Sequence, residues 1–442
     1  MKNLTKYLLF FSITLSFSGT FAQNQMTLKE CLDVAIKNNL TYRESQIQAE
    51  AANVELMRVK SLQYPRIGFG VGQDLRIGRS IDRFTNSYIE EVYSTNGFGL
   101  DAIVTVFNGF QIKNQIQQNQ LLKEAGVKGI EATRNLVTIN LLQAYLQVLA
   151  SQELVEVARQ QVETSKAQVE RINKMVSAGI VGQAESFLIR SQLANDEFSY
   201  VTTRNTLKTN RLLLFQLMNM TPTNNITFTP IGDEVNIYKL DNDFVNQLYD
   251  QSLANFPSVK RAELQLRSYN NLIKATKANV MPNVSLSASY GAFYSTSNKA
   301  ETYVQQINGT RNGSLSLNLS IPILGGLQNR PRIAAVKVQQ QLTENTLNTA
   351  KLQLRQSIEQ SFQAFDAASE RYKVATDQVN INQENVKAVE SKISAGTVNT
   401  VEYVLAKTNF DRARSNLVQA KYEVLLQQKI LDFYKDGEWK IN

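Results

Sequence analysis

Histidine is absent from the 442 residues, cysteine occurs once and proline only seven times. Without imidazole the chain lacks the side chain that most often serves as a neutral-pH base and as a metal ligand. A single thiol, Cys31, builds neither an intramolecular disulfide nor a cysteine metal cluster, and is expected as a small buried hydrophobe. Twenty glycines are too few for a collagen-like or low-complexity chain. The Ser, Lys and carboxylate side chains are scattered and form no catalytic constellation, so neither an enzyme nor a bound cofactor or metal is expected. Beyond residue 22 no run of 18 or more apolar residues occurs, which leaves no candidate for a spanning helix.

Residues 1–22 read as a secretory signal peptide: Lys2 and Lys6 make the positive start, Tyr7 to Phe17 the apolar centre, and Thr20-Phe21-Ala22 the small-residue cleavage site. Removing the two lysines lowers the formal charge from +8 to +6. No Lys/Arg block stands out, so nucleic acid is not an expected partner.

A single offset of 217 relates two halves of the chain. Asn38 falls on Asn255, Asn53 on Asn270, Lys60 on Lys277 and Pro65 on Pro282. Val104 to Gln111 falls on Ile321 to Gln328, and Ser177-Ala178-Gly179 on Ser394-Ala395-Gly396. Glu185 falls on Glu402 and Leu188 on Leu405. Such a register marks a tandem duplication. The expected layout is repeat 1 over 23–219, a polar proline-bearing connection over 220–243, and repeat 2 over 244–442.

Within each repeat two kinds of pattern alternate. From Ile333 to Ser394 there is neither Gly nor Pro, enough for a helix of about 93 Å. Leu141, Val148, Val155, Val162, Val169 and Val176 recur every seven residues, and Ile358, Phe365, Tyr372, Val379, Val386 and Ile393 occupy the same positions in the second copy. A second stripe of mostly small residues follows three positions later: Ala144, Ser151, Ala158, Ser165 and Ile172, matched by Ser361, Ala368, Ala375, Asn382 and Val389. A sustained heptad predicts antiparallel coiled-coil hairpins, over 109–219 and 331–436, with Gly179 and Gly396 at the turns. Ahead of each hairpin a helical pattern (Leu28 to Leu62; Phe244 to Val280) stops at Pro65 or Pro282 and gives way to period-2 alternation. Strands are expected at about 66–78, 95–107, 283–295 and 312–324, with polar loops at Arg79 to Ser94 and Thr296 to Thr310. Their length is that of tilted strands crossing a bilayer.

Four strands cannot close a membrane barrel, and an open edge in lipid leaves backbone groups unpaired. Several chains are therefore needed: two give eight strands and three give twelve, and spacing does not choose between them. The fold class is mainly α, with long antiparallel coiled-coil helices and four membrane strands per protomer. A periplasmic coiled-coil adaptor is the alternative, but one hairpin between compact β domains would then be expected rather than two hairpins and four strands.

The duplicated layout, the segment Val106-Phe107-Asn108-Gly109 after a strand, and Ala178-Gly179 and Ala395-Gly396 between long helices resemble the TolC family of outer-membrane efflux proteins, over essentially the whole mature chain. The resemblance implies a homotrimer with a shared twelve-stranded barrel in outer-membrane lipid. It also implies a helical periplasmic tunnel that engages a periplasmic adaptor and an inner-membrane transporter, and passive conduction of substrates. The hairpin ends, Ser177, Ala178, Gly179, Ser394, Ala395 and Gly396, become the expected adaptor-docking tip. Glu185 and Glu402 stand six positions after the tip glycines, where the family carries acidic residues lining the narrowest part of the pore. The family's second acidic position is Leu405 here, and its latch positions are Ile393 and Val398. An apolar constriction from Ile393, Val398 and Leu405 is the expected substitute.

Overall fold

The computed structural model describes residues 24–81, 86–223, 226–231, 235–237, 242–394, 399–437 and 439. In chain order the elements are β1 (Asn24–Met26), α1 (Leu28–Asn38), α2 (Leu40–Ser61), β2 (Arg66–Arg76), β3 (Arg79–Ile81), β4 (Tyr88–Glu90), β5 (Tyr93–Asn108), α3 (Gln111–Ser177), α4 (Gln183–Leu217) and β6 (Ile226–Phe228). There follow α5 (Asn242–Asn255), α6 (Pro257–Lys277), a single 3-10 turn (Ala278–Val280), β7 (Asn283–Ser295), α7 (Tyr303–Thr310), β8 (Asn312–Ser320), α8 (Gly326–Ser394) and α9 (Thr400–Asp436). They form two compact units, one from residues up to 40, 134–248 and 357–442, the other from 41–133 and 249–356.

The first unit is built on the heptad seams. Every seam residue named above is buried or half-buried, with Leu141, Val148, Val162, Ile358 and Phe365 among the fully enclosed ones. At one end α1 lays Leu28, Cys31, Leu32 and Ala35 against Leu142, Tyr145 and Leu149 of α3 and Leu214, Phe215 and Met218 of α4. Cys31 is fully buried there and its thiol is pushed up to about 12, chiefly by desolvation. Tyr145, also fully buried, donates to the Thr229 carbonyl at 2.6 Å and lies 3.1 Å from that of Met26. Its hydroxyl thus ties in the parallel pair β1–β6.

Helical patterns expected to run unbroken are split. Asn39 is extended (φ −71, ψ 121) and separates α1 from α2. The Asn38 amide donates to the Met218 carbonyl at 3.4 Å, and the Asn219 amide to the Asn38 carbonyl at 3.3 Å. In the second half α6 starts with Pro257 in its first turn after an extended Phe256, because a residue before proline is pushed out of the helical region.

In the second unit four strands make one antiparallel sheet in the order β2-β5-β7-β8. β8 ends at Ser320, short of the expected 324; Pro322 just beyond has no N–H for a ladder. α8 begins at Gly326, ahead of the expected 331, and carries Pro331 inside it. The two expected loops hold structure of their own: β3 and β4 pair as a small hairpin, and α7 folds onto β7. A reciprocal capping box, Thr302 with Gln305, starts α7. Thr310 and Gln306 of α7 accept the Phe293 and Ser295 N–H groups, each at 2.9 Å, so the helix replaces β8 along the last residues of β7. Thr302→Ala should destabilise α7 by about 1 kcal/mol, read as faster amide exchange confined to 303–310.

Candidate functional site

The sheet has two chemically different faces. Cross-strand partners share a face, and the register places Ile67 beside Ala102, Ala288 and Leu315, and Phe69 beside Leu100, Tyr290 and Gly313. The next row over, on the opposite face, is Gly68, Asp101, Ser289 and Ser314, then Gly70, Gly99, Gly291 and Asn312. One face is therefore mainly aliphatic and aromatic, the other mainly glycine, serine and asparagine, with Asp101 among them. On the apolar face Ile67, Phe69, Val71, Leu75, Leu315, Leu317 and Leu319 are 62 to 74% exposed, far more than a water-soluble sheet presents in one patch. Tyr290, Tyr294 and Tyr303 gather on that face near the α7 end, with Tyr294 and Tyr303 ring centroids 4.9 Å apart. Phe293 falls on the opposite face, beside Gly97. Alternation also slips once: a bulge at Val106 turns Phe107 to face Val284.

No helix among the described residues is long and apolar enough to cross a membrane. The large exposed apolar surface belongs to the sheet instead, and both its outer strands, β2 and β8, lack a strand partner on one side among the described residues.

The hairpin ends lie in the first unit. α3 closes with a left-handed Gly179 (φ +70): the Ile180 N–H reaches the Met175 carbonyl at 2.9 Å and the Gly179 N–H that of Val176 at 3.0 Å. Ser177 donates to the Asn173 carbonyl, and Ser186 to the Asn173 side chain, which draws the start of α4 back onto α3. Ala178 and Gly179 are exposed. Ser394 ends α8, while Ala395, Gly396 and Val398 lie outside the described residues.

The candidate gate residues separate into three settings. Glu402 is exposed in the first turn of α9, whose Asn399 cap accepts its N–H at 3.2 Å; its carboxylate is 4.0 Å from Lys392. Leu405 is 61% exposed on the same stretch. Glu185 instead accepts the Thr400 N–H at 3.3 Å, so a carboxylate of the first repeat caps the opening turn of α9. Ile393 is not available to a surface constriction: it is buried with Ile172, Ile189, Val389, Tyr403 and Ala406. Its place on the heptad seam, rather than its distance from the tip, decides this. The sequence reading missed a buried ionic cluster around Lys407 in the same unit, because its charges look like ordinary solvated helix residues.

The model of the family described as outer membrane efflux protein matches residues 31–220 and 248–434. The chain belongs to this family. Among outer membrane efflux proteins it is 22% identical to the outer membrane protein TolC of Salmonella enteritidis over 429 residues, covering 96% of this chain and 84% of that protein. The solved structure of the outer membrane protein VceC from Vibrio cholerae superposes with a TM-score of 0.76 at 12% identity, over 93% of this chain and 95% of that one. The open state of the Neisseria gonorrhoeae MtrE outer membrane channel gives 0.75 at 16% identity, over 92% and 88%. The chain has the fold of these channels: long coiled-coil helices and a membrane β-sheet. This member of the family is an outer-membrane efflux channel with a helical part in the periplasm. Its apolar sheet face has the chemistry that lipid requires, and its small, polar face the chemistry that water requires.

Proposed function

We propose that three copies complete the channel, with β8 of each pairing with β2 of the next to close a twelve-stranded barrel. The observation that carries the need for further copies is the four-stranded amphipathic sheet, whose outer strands lack a strand partner among the described residues and which one chain cannot close in lipid; the number three follows from the family. The two repeats, with their boundaries as set out above, together make one protomer that neighbouring copies complete. The hairpin ends around Ser177, Ala178, Gly179 and 394–396 dock a periplasmic adaptor, which links the channel to an inner-membrane transporter. That transporter supplies the energy, and the channel conducts passively.

The narrowest part of the pore in this reading is formed by Glu402 and Leu405, both exposed on one stretch of α9. A ring of carboxylates in a confined aqueous passage concentrates cations and binds divalent ions. Glu185 serves the same region by capping α9 rather than by lining the passage. Glu402→Gln should weaken divalent-cation block of single channels in planar bilayers by roughly tenfold, whereas Glu185→Gln should leave block near wild type. Equal block in Glu402→Gln and wild type would remove the ring from the account.

A further inference from the structure

The Lys407 ammonium lies 2.9 Å from Asp196 Oδ2 on α4 and 2.5 Å from Asp411 Oδ2, one turn further along α9. These side chains are only 3%, 9% and 15% exposed. Ser165 of α3 donates to the same Asp196 oxygen at 2.5 Å, and Gln192 to the other at 2.9 Å. Gln161 of α3 reaches the Asp411 backbone carbonyl at 3.4 Å, and Arg414 donates to Gln160 at 2.6 Å. Three helices from both halves of the chain thus converge on one buried cation.

Stability alone does not account for this cluster. Burying charges costs several kcal/mol per ion, and a packed apolar set of similar volume stabilises as well or better. Nor is it a requirement of the hairpin. At the 217 offset the counterparts of Asp196, Lys407 and Asp411 are Ala413, Arg190 and Ala194, and Arg190 is exposed. The triad draws on both repeats, and the matching set across the offset holds one charged residue, which is exposed. Burial pushes the Asp411 carboxyl up, with Lys407 pulling the other way.

We propose that Lys407 is a positioning residue, which holds the opening turns of α9 against α3 and α4 and so fixes where Glu402 and Leu405 stand. Lys407 is five residues, about 7.5 Å, along the helix from Glu402. The transport consequence rests on the constriction reading above; the hold on α9 does not. The charges give the device a sign. With Lys407 removed, two carboxylates face each other across α4 and α9 with no cation between them, and repulsion in a low-dielectric interior pushes the helices apart.

The test uses the full-length protein, with amide exchange over 400–411 reporting the hold and single-channel conductance reporting its consequence. Lys407→Met should speed exchange there by about tenfold or more and raise the resting conductance. The uncharged, near-isosteric triple variant Lys407→Met, Asp196→Asn, Asp411→Asn should return both towards wild type. Wild-type exchange in Lys407→Met overturns the proposal. A triple variant as loose as the single one also overturns it, since lost packing and not uncompensated charge would then be the cause. Faster exchange with unchanged conductance upholds the hold on α9 and overturns the constriction reading instead. Should Lys407→Met fail to assemble, Asp196→Asn against Asp411→Asn carries the test. Only the first cuts the link between helices and should exchange faster; equal rates in the two overturn the proposal.

Discussion

Leu317→Arg should abolish delivery of folded protein to the outer membrane, while Ser316→Arg, one residue away, should be tolerated. Leu317 is 69% exposed in the middle of β8 and faces Leu286 across the ladder, on the apolar side of the sheet. A cationic side chain at the bilayer midplane costs a barrel about 2–4 kcal/mol per site. An assembly of three copies bears that cost three times over, against a net stability of only about 5–15 kcal/mol for an ordinary fold. Ser316 points to the opposite, polar face beside Ser287, where an arginine would meet pore water in the proposed barrel. Urea-resistant, membrane-extracted protein, quantified for both variants, reads the difference. Equal loss in the two would mean that the faces have been assigned wrongly.

Gly109→Val should be the most damaging single change at a turn. Gly109 joins β5 to α3 with φ +64, and Phe110 after it is also left-handed at φ +64. A Cβ at Gly109 would stand 2.4 Å from Cβ of Met281, an atom fixed to the backbone that cannot swing aside. The left-handed conformation costs an L-residue roughly 1–2 kcal/mol and the forced displacement about 1–3 more. Gly179 is the matched control: it too is left-handed, at φ +70, but nothing lies within 4 Å of its Cβ position. Gly179→Val should therefore lose only the conformational part. In a thermal melt of assembled channel the Gly109 variant should fall well below the Gly179 variant. Coincident melts would show that close packing against Met281 is not what the glycine serves.

How much of this was legible from residues alone depends on whether a feature has a period. The heptads and strand alternation are one-dimensional patterns with single three-dimensional solutions, so the helical hairpins and the amphipathic sheet followed from them. The left-handed turn at Gly179 was readable for the same reason, since Ser-Ala-Gly ends a long periodic tract. Helix breaks were readable in principle but overlooked. Pro257 marks the start of α6, and Thr302 with Gln305 marks α7, signals that a window set for long periodicity averages away. The separation of Glu185, Ile393 and Leu405 into cap, core and surface was not readable. It depends on which helix of the other repeat lies alongside, and the 217 offset that relates the repeats in sequence says nothing of how they pack. Lys407 illustrates the limit most sharply: four residues before Asp411 on a long polar helix, it has the look of a solvated pair, and only Asp196 on α4 makes it a buried one.

The central claim is that one chain supplies a third of a barrel. Its most direct test is the native mass of the protein extracted from outer membranes in mild detergent and freed of lipid in the mass spectrometer. The account predicts an assembly of three identical chains, giving twelve strands and no open edge; a stable single chain, or a closed pair with eight strands, would contradict it.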